Sequence, residues 1–264
     1  MSGLSGVSVE RGEVGRLRPG HVTETAVHLA AVVPLGDGYM EIGSQITIVF
    51  MGDSITEGQY VHHSLRWTEL VATHLRRKVL KEHNDLHFFF NRGVSGETTR
   101  QALERFPRDV QNVRPDILTL QFGLNDCNCW DSDNGLPRVS ELAYRANLLE
   151  MIQRARHFGA KHIIVSTNHP TLRHKRLACG ESLEMRRERY NEIVREVVVA
   201  TDVTLCGIDK VFPSSSDEEL RVLLLPEPDV LHLSPVGHRL YAQAIQEYLE
   251  AAVEDVTCRA ERTG

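Results

Sequence analysis

The stretch "ITIVFMGDSITEG", Ile46 to Gly58, joins an apolar run to a polar turn and the start of a helix. Its first six residues are almost continuously apolar, which is typical of a strand that is covered on both faces. Gly, Asp and Ser follow, and these residues are common in turns and at helix N-termini. The stretch therefore predicts a buried strand that leads into a helix, with Ser54 at the junction.

The same pattern recurs along the chain, with further apolar runs at 86–91, 116–122, 162–167 and 203–209. Helical periodicity separates them, at 64–82, 98–113, 139–158, 182–200 and 237–254. Strands that alternate with helices favour a parallel sheet with helices on both faces. The chain is therefore predicted to be an α/β protein built on five parallel strands.

The composition narrows the class of protein. The chain has 264 residues, 41% of them hydrophobic and 25% charged, which is typical of a globular protein with a sizeable core. The net charge is -6 and the basic residues are scattered, so we expect no nucleic-acid partner. No apolar run reaches the roughly 20 residues that span a bilayer. The five cysteines are an odd number, typical of a reduced protein, and we expect a cytoplasmic location with Cys127 and Cys129 as free thiols.

The alternation of strands and helices also divides the chain. Residues 1–45 lie outside it and are predicted to be an N-terminal extension, in which "HVTETAVHLAAVV" (21–33) is an additional strand or a short helix on the sheet. Residues 46–256 form the main domain, and 257–264 are predicted to be a C-terminal tail. Residues 212–230 are interpreted as a surface excursion that delivers the chain to its last helix.

The loops that follow the strands are the expected place for a ligand, because sites in open parallel sheets lie beyond the carboxyl ends of the strands. These loops read "GDSITEG", "RGVSGETT", "GLNDCNCWDSDNG" and "NHPT". They are rich in Gly, Asn, Asp, Ser and Thr. Ordinary surface loops are also polar, so the loops by themselves leave both readings open.

The residue types needed for acyl transfer through a serine are present in these loops and before the last helix. That chemistry needs a nucleophile, a base, a group that orients the base, and donors for the developing oxyanion. Ser54 follows the first strand, and Asp229 and His232 are three residues apart in "DVLHLSPVGH". At that spacing the carboxylate can meet the imidazole Nδ1 and leave Nε2 for a serine. The alternatives are a turn with an N-cap at "GDS", a helix-capping Asp229 and a surface His232.

Two further residues are candidate oxyanion donors. Gly96 in "SGETT" follows the second strand, and its missing side chain lets a main-chain N–H approach a ligand closely. Asn125 in "GLND" follows the third strand and offers a side-chain amide. A turn glycine and a turn asparagine are the alternatives. The catalytic interpretation is favoured because all the parts lie in loops at one edge of the sheet.

The four blocks "MGDSITEG", "NRGVSGETT", "GLND" and "DVLHLSPVGH" resemble those of the SGNH hydrolase superfamily, also called the GDSL esterases and lipases, and occur in the same order. The resemblance implies a flavodoxin-like three-layer α/β/α sandwich with a five-stranded parallel sheet. It also implies that Ser54 is the nucleophile and that Asp229 and His232 complete the catalytic triad. The main-chain N–H groups of Ser54 and Gly96 and the amide of Asn125 would form the oxyanion hole.

The resemblance implies a serine esterase that needs no cofactor and no metal. The polar loops favour a short acyl group, such as acetyl, on a small-molecule or glycan ester substrate. Asp53, Trp130, Asn168 and His169 are candidate substrate contacts, since they lie in the loops around the centre. The oligomeric state is left open.

Other functions stay open beside this one. The same residues serve an acyltransferase, a lysophospholipase or a thioesterase, and a binding module could keep the sheet without the chemistry. The full set of five catalytic residue types argues against a mere binding module. A metal site made of Asp229, His232 and His238 is less favoured, because two histidines six residues apart around a helix start do not share a helix face well.

Overall fold

The computed structural model describes residues 32–35, 38–41, 45–82, 86–213 and 216–263. In these residues the strands are β1 (Val32–Leu35), β2 (Gly38–Glu41), β3 (Gln45–Gly52), β4 (Leu86–Gly93), β5 (Ile117–Gln121), β6 (His162–Ser166) and β7 (Thr204–Cys206). The helices are α1 (Ser54–Glu57), α2 (Trp67–Glu82), α3 (Thr99–Phe106), α4 (Glu141–His157), α5 (Leu183–Thr201), α6 (Ile208–Val211), α7 (Asp217–Leu223) and α8 (Pro235–Thr263).

The central sheet has five parallel strands in the order β4-β3-β5-β6-β7, so the predicted fold class is confirmed. The first strand of this sheet lies in its interior, with β4 on one side and β5 on the other. This is the flavodoxin-like order, in which the chain reverses its winding direction beside the first strand. Loops that leave β3 and β5 therefore diverge and open a crevice at the carboxyl edge.

The helices form two groups that cover the sheet. Helices α2, α6, α7 and α8 pack together, and α3, α4 and α5 pack together in the other group. The middle strand β5 is buried at every position, as its continuously apolar sequence requires of a strand with helices on both faces. The largest buried side chains include Trp67, Tyr144, Tyr190 and Tyr241, which fill the space between sheet and helices.

The structure differs from the sequence-based boundaries in three places. The last helix does not end near 254 but runs to Thr263, so residues 257–263 of the predicted tail (257–264) continue the helix. Val256 and Thr257 are buried. The predicted strand 203–209 ends at Cys206, and α6 begins two residues later. The predicted helix 98–113 widens after Phe106, because Pro107 has no N–H to continue the ladder of hydrogen bonds.

The surface excursion predicted at 212–230 contains a helix. Helix α7 packs against α8 and buries Leu220 and Leu223. The N-terminal expectations fall mostly on residues 1–31, which lie outside the described residues. Strand β1 holds the last two residues of "HVTETAVHLAAVV" and pairs antiparallel with β2 in a separate sheet. In the described part of the chain, no helix combines the length and apolarity required to cross a bilayer.

Gly52 ends β3 at a point of very close approach. A Cβ atom at Gly52 would lie 2.1 Å from Thr56 Oγ1 and 2.7 Å from the Gln121 carbonyl oxygen. The missing side chain therefore lets α1 fold back tightly over the ends of β3 and β5, which places Ser54 at the sheet edge.

We predict that Gly52→Ala lowers the free energy of unfolding by about 1–3 kcal/mol, because the added methyl group must displace buried backbone. Urea denaturation of both proteins measures this difference. Gly207→Ala is the matched control, since a Cβ there meets only Lys210 Cγ at 3.9 Å. Equal midpoints for Gly52→Ala and wild type would contradict the close-packing argument.

Candidate active site

Ser54 is the first residue of a one-turn helix at the carboxyl end of β3. Asp53 is the N-cap of that helix, and its Oδ1 accepts a hydrogen bond of 2.9 Å from the Ile55 N–H. The helix ends at Gly58, whose φ of 74° is the left-handed conformation that favours glycine. The "GDS" segment is thus a helix start capped by Asp53, and it also presents the Ser54 side chain at the sheet edge. The structural interpretation of this segment as a cap and the catalytic one are therefore compatible.

A continuous chain of hydrogen bonds connects Ser54, His232 and Asp229. Ser54 Oγ lies 2.9 Å from His232 Nε2, and His232 Nδ1 lies 2.7 Å from Asp229 Oδ2. Ser54 and His232 are 178 positions apart in the sequence, and the fold brings them together at the edge of the sheet. The arrangement matches the nucleophile, base and orienting carboxylate of a serine hydrolase triad.

The carboxylate of Asp229 is prepared to stay ionised. Burial by itself would raise its pKa, but hydrogen bonds from the His232 main chain and ring, and from the Leu231 main chain, outweigh burial and hold the pKa below its usual value. The Leu231 and His232 N–H groups donate to Asp229 Oδ1 at 3.0 and 2.7 Å. A charged Asp229 favours the tautomer in which Nδ1 carries the proton and Nε2 is free to accept the serine proton.

The loop that carries Asp229 and His232 is held by the segment after β6. The Leu172 N–H donates to the Val230 carbonyl at 3.0 Å, and His169 Nε2 lies 2.9 Å from the Leu231 carbonyl. Val230 has a φ of 45°, which is unusual for a β-branched residue. Such a conformation persists only where surrounding contacts impose it. The loop after β6 thus contributes to positioning the histidine.

The candidate oxyanion donors face the same cavity as Ser54. Gly96 has a φ of 75°, and a Cβ there would meet no atom within 4 Å, so the conformation rather than space favours glycine. Within the described part of the chain, the N–H groups of Ser54 and Gly96 have no hydrogen-bond partner. Asn125 Nδ2 makes only a long contact of 3.5 Å with Asp53 Oδ2. Three donors therefore remain available for a ligand oxygen.

Neighbouring charged side chains hold the loop around Gly96. Glu57 accepts hydrogen bonds from the Ser95 N–H at 2.7 Å and from the Ser95 hydroxyl at 2.5 Å. Arg138 donates to the Gly96 carbonyl at 2.9 Å and lies over the ring of Trp130, 4.2 Å from its centroid. These contacts connect the loop after β4 to the loop after β5.

Two cavities lie beside the hydrogen-bonded residues Ser54, His232 and Asp229. A cavity of about 320 Å³ surrounds Ser54 and His232, and a larger one of about 770 Å³ lies beside it. Both cavities are lined by Asn128 and Arg173, so these two residues stand at the boundary between them. The smaller cavity is lined by Ser54, Gln59, Ser95, Gly96, Leu124, Asn125, Asn128, Arg173, Leu231 and His232.

Three of the four candidate substrate contacts lie elsewhere than expected. Asp53, Asn168 and His169 are fully buried and line neither cavity. Asn168 is occupied by protein groups, since its Nδ2 donates to the Phe122 carbonyl at 2.9 Å. These three residues lie in the protein interior beneath the site, because other loops cover the strand ends that carry them. Trp130 is 48% exposed and lines the larger cavity.

The sequence interpretation missed Tyr60 and Arg173. The Tyr60 ring meets the His232 ring edge-on, with 5.3 Å between centroids, although its side chain is 70% exposed. Tyr60 also has a φ of 66°, a conformation rare outside glycine. Arg173 lies in the loop after β6 and reaches the catalytic loop. Neither residue has a sequence signal, because only the tertiary structure brings their loops to the histidine.

His238 lies apart from the catalytic chain. Its Nδ1 accepts a hydrogen bond of 3.3 Å from the Trp67 N–H, and burial lowers its pKa to about 3. Among the residues that the structure describes, no group of three or more His, Cys, Asp or Glu side chains is placed to hold a metal ion. Cys127 and Cys129, in the loop after β5, are free thiols and are buried.

Comparison with known proteins finds related sequences. The family model of the GDSL-like lipases and acylhydrolases matches residues 50–240. The uncharacterized lipoprotein YqeF of Bacillus subtilis (strain 168) is 28% identical over 235 residues, 80% of this chain and 90% of that protein. The acetylxylan esterase of Geobacillus stearothermophilus is 26% identical over 231 residues, 78% of this chain and 94% of the esterase.

Solved structures show the same fold. A lipase/acylhydrolase from Enterococcus faecalis superposes with a TM-score of 0.61 at 23% identity, covering 78% of this chain and 96% of that chain. The acetylxylan esterase Axe2 from Geobacillus stearothermophilus superposes with a TM-score of 0.60 at 21% identity, covering 79% of this chain and 95% of that chain. At these identities the likeness concerns the architecture of the sheet and helices.

The buried carboxyl of Asp53 gives the site a testable pH dependence. Burial raises the pKa of Asp53 from 3.8 to about 7, and burial also raises the pKa of Asp126 to about 6. The folded protein therefore keeps the Asp53 proton at pH values where the unfolded chain has lost it. It follows that Asp53 lowers the stability as the pH rises from about 4 to about 7.

We predict that Asp53→Asn loses less stability than wild type between pH 4 and pH 7, because the amide does not titrate and still accepts the N-cap hydrogen bond. Urea unfolding across this pH range measures the difference between the two proteins. Asp133→Asn, which changes an exposed carboxylate, controls for net charge. Parallel stability curves for wild type and Asp53→Asn would refute the assignment.

Proposed function

The chain belongs to the GDSL-like lipase/acylhydrolase family and acts on ester bonds, and from this premise we propose that it removes a short acyl group, such as acetyl, from a polar or carbohydrate carrier. The observation that carries the proposal is the chain of hydrogen bonds from Ser54 through His232 to Asp229, which faces a cavity with three free donors. Acyl transfer needs both a base that accepts the serine proton and donors that stabilise the oxyanion, and this site has both.

The first half of the proposed reaction forms an acyl-enzyme. Ser54 Oγ attacks the ester carbonyl carbon while its proton passes to His232 Nε2. The N–H groups of Ser54 and Gly96 and the Asn125 amide stabilise the negative oxygen of the tetrahedral intermediate. The bond between carbon and the alcohol oxygen then breaks, and the departing alcohol takes the proton from His232.

The second half returns the enzyme to its starting state. A water molecule gives a proton to His232 and attacks the acyl carbon. The bond to Ser54 Oγ breaks, and the serine recovers its proton from His232. Asp229 stays ionised throughout and stabilises the positive imidazole ring, so the net reaction is an ester and water giving an acid and an alcohol.

The sizes and linings of the cavities support a small acyl group. Only Leu124 and Leu231 are aliphatic among the residues around Ser54, so a long alkyl chain would have little apolar surface to bury. The larger cavity has a mixed lining of polar and charged side chains, Trp130 and apolar residues such as Leu172 and Leu183, which suits a carrier that has both hydroxyl groups and apolar ring faces. The similarity to the acetylxylan esterase of Geobacillus stearothermophilus also supports an acetylated carbohydrate as the substrate class.

An acyltransferase is the second candidate, because an alcohol that replaces water in the second half would give a new ester with the same residues. The lysophospholipase and thioesterase alternatives are less favoured, since the lining residues of the smaller cavity are mainly polar. We also propose that residues 46–256 form the catalytic domain and that the protein works in the cytoplasm. One relative is a lipoprotein, so fractionation of cells that express the full chain is the direct test of location.

We predict that Ser54→Ala abolishes hydrolysis of p-nitrophenyl acetate and labelling by a fluorophosphonate probe, because both need the serine oxygen. His232→Ala is expected to lose activity to a similar extent, since the two residues act as a unit. Rates across the p-nitrophenyl esters from acetate to decanoate should fall with chain length.

The matched control is Ser64→Ala, which changes an exposed serine away from the cavities and should keep wild-type rates. Wild-type activity in Ser54→Ala would contradict the proposal. Labelling of Ser54 without hydrolysis, together with acyl transfer to an added sugar, would establish the transferase in its place.

A further inference from the structure

Arg173 occupies a singular position beside the catalytic chain. It lies in the loop after β6, is half-buried, and lines both the cavity around Ser54 and the larger cavity beside it. Its Nε donates to the main-chain carbonyl of Asp229 at 3.1 Å. The guanidinium group is therefore anchored to the same loop that carries the catalytic acid and base.

Most of the hydrogen-bonding capacity of Arg173 is unused. A guanidinium group has five N–H donors, and only the one on Nε is engaged. In the described part of the chain, Arg173 forms no ion pair, and its two terminal nitrogens have no partner. Arg105, Arg186 and Arg187, which are more deeply buried, are each paired with a carboxylate. The half-buried Arg66 resembles Arg173, since its Nε also donates to a main-chain carbonyl, that of Val61, at 3.2 Å.

Arg173 differs from Arg66 in its position, because Arg173 lines two cavities and its free terminal nitrogens are placed where a ligand can bind. A positive charge that is partly removed from water is costly unless an opposite charge accompanies it. The Nε contact accounts for holding the catalytic loop, but a neutral donor would suffice for a main-chain carbonyl. The terminal nitrogens instead present the planar fork that binds a carboxylate or a phosphate through two parallel hydrogen bonds.

The charges along the larger cavity are compatible with an anion. Lys175 and Arg176 line it with Arg173, and neither makes an ion pair in the described residues. His174 in the same loop is 3.1 Å from Asp217. The cavity also contains the carboxylates of Asp131 and Glu227, so the lining is mixed, with the cations gathered on the loop after β6.

We propose that Arg173 is a specificity-determining residue that binds an anionic group, a carboxylate or a phosphate, on the alcohol part of the ester. This inference rests on the proposed function, because it assumes that the acyl group occupies the cavity at Ser54. The alcohol part then extends past Asn128 and Arg173 into the larger cavity. The substrate class is thus a short-chain ester of an acidic carrier, such as a uronic acid or a sugar phosphate.

The experiment compares three mono-acetylated carriers that differ in one group: methyl glucoside, methyl glucuronoside and methyl glucoside 6-phosphate. Release of acetate gives kcat/KM for each, and the ratio of an anionic carrier to the neutral one is the readout. We expect a wild-type ratio of about 10 to 100 for at least one anionic carrier, the size of one charge-assisted interaction. The difference should lie mainly in KM, because the anion is bound in both the ground state and the transition state.

Three variants test whether Arg173 causes that preference. Arg173→Gln should bring the ratio to about 1, and Arg173→Lys should restore only part of it, since lysine keeps the charge without the fork. Any general damage to the catalytic loop affects both substrates and cancels in the ratio. Arg176→Gln tests the neighbouring cation, because Arg176 lies on the same loop but lines only the larger cavity. Arg77→Gln, at an exposed position that lines neither cavity, is the control for net charge.

The outcomes separate this inference from the proposed function. Wild-type activity on p-nitrophenyl acetate with equal rates on neutral and anionic carriers would overturn the role of Arg173 and leave the esterase intact. A preference for the anionic carriers that Arg176→Gln removes as fully as Arg173→Gln would assign it to the general field of the loop, and would also overturn the role. A wild-type protein inactive on all esters would overturn both proposals. Whichever of carboxylate and phosphate gives the larger ratio identifies the anion.

Discussion

The pairing of β3 with both β4 and β5 is the constraint on which the site depends. Register places Gly52 opposite Gly93 on one side and opposite Gln121 on the other, so three strands end at the same level. The loops that follow these strands carry Ser54, Gly96 and Asn125. Parallel strands share one carboxyl edge, and the interior position of the first strand makes its neighbours the second and third strands in sequence.

The catalytic base reaches this edge by a different route. His232 lies just before α8, which packs on α2. The loop that precedes α8 is hydrogen-bonded to the segment after β6 through His169, Leu172 and Arg173. Precision at the histidine therefore depends on a strand that contributes no catalytic side chain.

The same arrangement explains why the site divides into a reactive half and a selective half. Ser54, Gly96 and Asn125 follow the ends of β3, β4 and β5, whose register fixes where these loops begin. The walls of the larger cavity come from the loop after β5 and the loop after β6, which have more exposed side chains, such as Trp130 and Arg176. Chemistry is thus placed on the rigid edge of the sheet, and recognition is left to loops that can vary without disturbing it.

Element types were predictable wherever local pattern decides them. Continuous apolar runs identified the five strands, and the glycine at the end of the first strand marked the turn. Errors arose where neighbours override local pattern, as at α7, whose Leu220 and Leu223 are buried only because α8 lies against them. The helix end beyond 254 was missed for the same reason, since burial of Val256 rather than a capping signal continues the helix.

The sequence by itself predicted the architecture from its apolar runs, and its four blocks, through their resemblance to the SGNH hydrolases, pointed to the five residues of the candidate catalytic centre. Only the tertiary structure decided which loop residues face a substrate. Asn168 and His169 are polar residues at a strand end, as expected of a binding loop, yet they are buried and form hydrogen bonds with the main-chain carbonyls of Phe122 and Leu231. Arg173 has no local signal, and its position at the junction of two cavities results from contacts between segments 56 residues apart. Exposure toward a cavity is a property of the packed molecule, and a side chain acquires it from neighbours distant in the sequence.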